Sequence, residues 1–298
     1  MFEGPDQAFA DYLSDWCFQQ NLDHYEVWQA AASVSRALPL SASIDSYLDS
    51  HINNPLRSSC GKLAFARSIS RAENASPLIS NNDREAQNFD FRPLSVTWYQ
   101  RLWSVMQTGV NPDDSQRVFN NLKIVTFNYD RNIERFLQLA YSHFLDVPLE
   151  TAAAHVEALG ILHIYGSLGK LDPRPDTSKS YRSTGFTINL DIASRQISTY
   201  TEQVNSQMTE KLGGLIRECQ RIVFLGFSFG RENMNLISNA IAGPEIQRQT
   251  YATTYMMSRE ATEHAQTQLD RLFSRSHSLA HLRPDTARDF FDRYTGVF

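Results

Sequence analysis

Paired metal-binding cysteines are missing from this chain. Its three cysteines, Cys17, Cys60 and Cys219, are an odd number, stand far apart, and form no C-x-x-C and no cysteine–histidine spacing suited to a metal. That excludes a zinc-stapled or disulfide-built scaffold, and the thiols read as reduced and mostly buried. A positive charge balance is missing too: 28 Lys and Arg face 33 Asp and Glu, for a net charge of −5 and a pI near 5.9. No basic run compensates locally, so the chain lacks the electrostatic footprint that nucleic acid or an anionic membrane requires. No apolar run approaches the roughly 18 residues of a membrane helix. The opening Met1-Phe2-Glu3-Gly4-Pro5-Asp6 has none of the regions of a signal peptide. The expectation is a cytoplasmic protein without a metal and without nucleic-acid or membrane partners, in which the Asn74-Ala75-Ser76 sequon carries no sugar. Internal repeats and low-complexity tracts are also absent.

What is present divides by character near residue 119. Residues 1–118 are rich in Ala, Ser, Leu and aromatics at helical spacing. Phe9, Tyr12, Leu13, Trp16 and Cys17 make one stripe. Ile44, Tyr47, Leu48 and Ile52 make a second after the start signals Ser43 and Asp45. Leu63, Ala66, Arg67, Ile69 and Ser70 suggest a third helix after Gly61, and Trp98, Leu102, Val105 and Met106 a fourth. Such stripes read as packing faces. Ser80 to Asp90 reads as a loop, and Asn111-Pro112-Asp113-Asp114 as a turn.

Residues 119–298 alternate strands with helices, the arrangement of a parallel sheet covered on both faces. The pattern predicts strands over Leu122 to Thr126, Leu159 to Tyr165, Arg221 to Gly226, Tyr251 to Met256 and Ser278 to Leu282. It predicts helices over Arg131 to Phe144, Pro148 to Ala158, Ala193 to Glu218, Glu232 to Ala242, Glu260 to Phe273 and Asp285 to Tyr294. The fold class is therefore α/β: one domain over 1–298 with a Rossmann-like parallel sheet and an N-terminal helical layer. The polar stretch from Asp172 to Ser180 is too long for a minimal connection and reads as a lid or a disordered excursion.

Chemistry concentrates at three strand ends. Thr126-Phe127-Asn128-Tyr129-Asp130 passes straight into a helix, with Asp130 placed as its N-cap and Ile133, Phe136, Leu137, Ala140 and Phe144 on its apolar face. His163-Ile164-Tyr165-Gly166-Ser167-Leu168-Gly169 follows the second strand, and Gly226-Phe227-Ser228-Phe229-Gly230-Arg231-Glu232-Asn233 the third. Open α/β sheets hold ligands outside the carboxyl ends of their strands, so parallel strands are expected to bring Asn128, Gly166 and Ser228 to one edge. Glycines there let a backbone approach a ribose or phosphate, and Ser228 and the helix start near Arg231 offer donors to an anion.

In order, these blocks resemble the bacterial SIR2-like family, with its sirtuin-type NAD-binding fold, over roughly Ile44 to Met257. Thr126-Phe127-Asn128-Tyr129-Asp130 looks like the family's T-x-N-x-D block, and Gly226-Phe227-Ser228 like its G-[TSFY]-S block. The resemblance implies NAD as cofactor or substrate. Contacts to the nicotinamide-side ribose would come from the first block, and contacts to the adenosine-side ribose or phosphate from the second. The implied activities are deacylation, ADP-ribosyl transfer or NAD hydrolysis of the kind found in bacterial antiphage systems, and an NAD glycohydrolase is the expectation. Asn128, Asp130 and Tyr165 are the candidate catalytic positions: Asn128 to position the ribose and water, Asp130 to support the loop. Thr126, Phe127, Gly166, Ser167, Gly226, Ser228 and Asn233 are the candidate cofactor contacts.

Two departures from the family pattern carry expectations of their own. Tyr165 stands where the family's H-G block has its histidine, and a phenol with a pKa of about 10 is a poor base at neutral pH. Tyr165 is therefore expected as an aromatic wall of the nicotinamide pocket, and His163, two residues earlier, as a satisfied core histidine. The family's G-A-G-x-S strand-loop is also missing. The expectation is a reading frame that extends upstream, and a 298-residue form that binds NAD weakly or not at all and tends to self-associate through exposed strand edges. Two other readings stay open. One is a sensor or scaffold that binds NAD or ADP-ribose without turnover. The other takes Gly226 to Gly230 as the G-x-S-x-G elbow of a serine hydrolase, with Ser228 as nucleophile, Asp270 or Asp285 as acid and His277 or His281 as base.

Overall fold

The computed structural model describes residues 7–41, 43–78, 88–110, 112–172, 188–203, 207–241, 248–273 and 280–294. In chain order the helices and strands are α1 (Gln7–Gln19), α2 (His24–Ala37), α3 (Ile44–Ser50), α4 (Pro55–Asn74), α5 (Trp98–Met106), β1 (Val125–Thr126), α6 (Asn132–Leu145), α7 (Leu149–Leu159), β2 (Leu162–His163), α8 (Leu190–Gln196), α9 (Tyr200–Gln203), α10 (Gln207–Glu218), β3 (Arg221–Phe224), α11 (Arg231–Ala240), β4 (Gln249–Thr253), α12 (Arg259–Phe273), β5 (His281–Arg283) and α13 (Ala287–Tyr294). The fold is α/β with small parallel sheets. In one, the N–H groups of Leu162 and Ile164 donate to the carbonyls of Ile124 and Thr126, so β1 and β2 run the same way. In the other, β4 lies between β3 and β5, all parallel, with Phe224 opposite Ala252 and Tyr251 opposite His281.

The chain divides into two compact units that do not follow the compositional change near residue 119. The first comprises 1–86, 126–135 and 163–203, and the second 87–125, 136–162 and 204–298. In the first unit α4 packs against α2, α3 and α8. Its Gly61 permits that closeness, because a Cβ there would stand 2.8 Å from Leu48 Cδ2. Side-chain caps start these helices: Asp23 accepts from Glu26 N–H, Ser43 from Ser46 N–H, and Asn54 from Arg57 N–H. The core includes Val27, Val34, Tyr47, Leu48, Leu63 and Ala66. In the second unit α12 packs on β4, α10 on α11 and α13 on α5. Tyr251, Phe290, Tyr294, Phe291 and Trp98 form one aromatic cluster there.

The sequence pattern and the structure differ in definable ways. α2 was not anticipated, and α4 begins at Pro55 and runs through Gly61 rather than starting after it. The helix expected over Ala193 to Glu218 is α8, α9 and α10, because Ile197 turns the chain to extended backbone at the end of α8. The strand expected from Leu159 starts later, because α7 continues to Leu159 and closes on left-handed Gly160, φ 67°. Phe144 and Ile52 are exposed rather than packed. Among the described residues no helix is long and apolar enough to cross a membrane, and no cluster of His, Cys, Asp and Glu suits a metal. Asn111, most of the Ser80 to Asp90 loop, most of the Asp172 to Ser180 stretch, Ser278 and His277 lie outside the described residues.

Candidate functional site

The segment from Thr126 to Arg131 is held residue by residue by partners in the first unit. Thr126 Oγ1 accepts the N–H of Asn128 at 3.0 Å. The Phe127 ring meets Tyr165 edge to face, centroids 5.9 Å apart. Tyr129 is buried, donates its hydroxyl proton to Asp45 and packs edge-on against Phe65. Burial first, and the Asp45 charge second, push its pKa well up, so it stays a neutral donor. Asp130 is not the N-cap expected: α6 starts at Asn132, the Arg131 carbonyl accepts the first helical bond from Arg135 N–H, and Asp130, one residue earlier, accepts the N–H of Asn132 at 3.2 Å. Arg131 is tied to Glu73 three times, through its backbone N–H at 2.6 Å, Nε at 3.1 Å and Nη2 at 2.7 Å. Its Nη1 reaches the carbonyls of Gly169 and Lys170 at 3.4 and 3.3 Å. The Glu73 and Arg131 side chains are 0% and 4% exposed. Asn128 is the exception: it is exposed, and its side-chain amide makes no hydrogen bond among the described residues.

The second strand mouth lies in the same unit. Tyr165 is buried, parallel to Tyr129 at 6.1 Å, and its carbonyl accepts from Ser198 N–H. Gly166 has φ +82°, and a Cβ there would lie 1.8 Å from the Gln196 carbonyl oxygen. Its lack of a side chain is thus accounted for by the chain's own packing. Ser167 Oγ accepts from Gly169 N–H at 3.3 Å. His163 Nδ1 stands 3.0 Å from the Asn128 carbonyl oxygen and Nε2 2.6 Å from Glu134 Oε1, so the expectation of a satisfied histidine agrees with its geometry.

The third strand mouth belongs to the second unit. Gly226 donates its N–H to Thr253 Oγ1 at 2.9 Å and has φ +59°, with open space where a Cβ would project. Ser228 is exposed, Asn233 half-buried, and α11 begins after Gly230 with no side-chain cap on its first N–H groups. Phe229 takes the left-handed backbone, φ 55°, and is buried among Phe224 and Phe227. In a nucleophile elbow the strain belongs to the serine; here it falls one residue later. The acids proposed for that elbow are engaged elsewhere: Asp270 accepts from Ala280 N–H and Gln266, and Asp285 pairs with Arg293. His281 stacks on Tyr251.

Sequence reasoning missed Glu73, Asp45 and Glu134, the carboxylates that hold the first mouth. Glu73 and Asp45 stand 58 and 84 residues from their partners, and nothing in the local pattern announces them.

These features define an α/β protein with small parallel sheets, with an exposed Asn128 on a clamped loop after a strand of the first unit and an exposed Ser228 before an uncapped helix of the second. More particularly, the chain belongs to the SIR2-like domain family, whose model matches residues 122–277, just over half of its length. No curated protein and no solved structure gives a significant match.

Proposed function

We infer that this chain binds NAD in a Rossmann-like α/β frame and cleaves its bond to nicotinamide, as an NAD glycohydrolase of the kind found in bacterial antiphage systems. The observation that carries this reading is Asn128: every neighbour in its loop is engaged, and its own amide alone is exposed and uncommitted among the described residues. A loop built that way presents one side chain in a fixed direction, which is what transition-state positioning needs. The residues present also suit the nucleotide. Gly226 leaves open space for a ribose or phosphate, and Ser228 and the uncapped start of α11 offer donors to an anion.

NAD, when bound, supplies an anomeric carbon that becomes oxocarbenium-like as nicotinamide leaves. Asn128 would orient the ribose and the attacking water; Thr126 and Asp130 would keep its loop in shape; Phe127 and Tyr165 would supply apolar wall. Ser167 and Asn233 would give further polar contacts. Preorganised dipoles serve such a centre without a strong base, so Tyr165 is not required to take a proton. A second reading, a domain that binds NAD or ADP-ribose without turnover, is favoured by one observation: the buried phenol of Tyr165 stands at the position of the family's histidine. Calorimetric NAD binding together with assay of free nicotinamide separates the two. Binding with release supports hydrolysis, and binding without release supports the sensor. Labelling of Ser228 by a serine-directed phosphonate would contradict both.

A further inference from the structure

The geometry points to His163 as a positioning residue that, braced by Glu134, holds the backbone carbonyl of Asn128 and with it the direction of the Asn128 amide. This deepens the NAD reading and rests on it for its activity arm. The ring bridges β2, the loop after β1 and the first turn of α6: Nδ1 is 3.0 Å from the Asn128 carbonyl oxygen, and Nε2 is 2.6 Å from Glu134 Oε1. Its side chain is 9% exposed and that of Glu134 17%. A backbone carbonyl has no proton to give, and neither has an ionised carboxylate. A neutral imidazole carries one N–H and so satisfies one of the two, whereas the doubly protonated ring satisfies both. The charged groups that face it are Glu134 on α6 and Asp130 in the loop after β1, both acidic. Burial by itself pushes an imidazole down, but Glu134, the Asn128 carbonyl and Asp130 together outweigh it, and the pKa stands above its ordinary value.

The consequence is specific to Asn128. Thr126 Oγ1 grips its N–H and His163 grips its carbonyl, so both backbone polar groups of the residue are fixed while its side chain is exposed. His163 is thereby committed at both ring nitrogens and is no free base. It acts through Asn128 instead.

Nuclear magnetic resonance of the full 298-residue chain with labelled histidine nitrogens tests this without NAD. The ring of His163 should titrate above the ordinary histidine value of about 6.5, with both nitrogens protonated below it, and Glu134→Gln should lower the titration midpoint. The Asn128 side-chain amide signal should shift over the same pH range as the ring. With NAD, His163→Ala should lower the kcat of nicotinamide release about tenfold or more with KM little changed. His163→Asn, whose amide nitrogen stands in for Nδ1, should recover part of that loss. A ring that titrates at or below the ordinary histidine value, a titration unmoved by Glu134→Gln, or an Asn variant no better than Ala would overturn the proposal. If the wild-type chain releases no nicotinamide, the hydrolase reading fails, while the ring and amide titrations still decide whether the clamp exists.

Discussion

Asn128 and Tyr165 sit within one group of contacting residues yet carry opposite expectations, because one is exposed and the other buried. Tyr165 is packed between Phe127 and Tyr129. Tyr165→Phe keeps that packing and should retain most NAD cleavage in a steady-state assay; a loss of about a hundredfold, the scale of removing an acid–base group, would restore a proton-transfer role. The Glu73–Arg131 pair makes a different expectation. Removing one partner of a buried ion pair strands the other charge, so Glu73→Ala should cost about 3–5 kcal/mol in a urea melt. Replacing both residues by apolar side chains of similar size should cost much less, and equal losses from the single and double variants would contradict the pair's role. The place of Asn128 and Asp130 just after a strand was legible in the sequence, because strand-end polar residues follow from local pattern. Glu73 was not. It reaches Arg131 from another helix, and no spacing rule spans that interval.

The helices were legible where apolar spacing was regular, as in α1, α6, α7 and α12. They were missed or merged where the informative signal was a cap. Asp23 and Glu26 open α2, and Thr199 with Glu202 has the T-x-x-E spacing of a capping box, of which one half is made: the Glu202 carboxylate accepts Thr199 N–H at 2.8 Å at the start of α9. Strands came out shorter than their apolar runs because pairing, not hydrophobicity, sets their length, and pairing partners are distant in sequence. Two glycines at strand ends should separate structure from ligand binding. Gly166→Ala would drive a methyl into the Gln196 carbonyl and should unfold the first unit's loop or lower the melting temperature sharply. Gly226→Ala meets open space, so its cost is the left-handed backbone, about 1–2 kcal/mol. That variant should fold and lose NAD affinity by calorimetry. Unchanged affinity would remove Gly226 from the nucleotide's path.

At the scale of the whole molecule, composition told most: the acidic balance, the scattered free thiols and the absence, among the described residues, of a membrane-length apolar helix are all consistent readings of one chain. The division into two compact units was not legible, since each unit gathers segments from separate parts of the sequence. Stability of the whole should carry the mark of His163. Its pKa is raised on folding, so its contribution is complete below the unfolded value of about 6.5 and is lost as pH rises through the folded value. Urea midpoints measured upward from pH 6.5 should fall in the wild type more steeply than in His163→Asn; identical slopes would contradict the linkage.

The most direct test of the central claim is release of free nicotinamide from NAD by the wild-type chain and by Asn128→Ala, both checked for the same circular dichroism spectrum. Asn128 is exposed and supports no packing, so the variant should fold normally and release nothing, while the wild type releases nicotinamide. Equal release from both, or release from neither, would contradict the account.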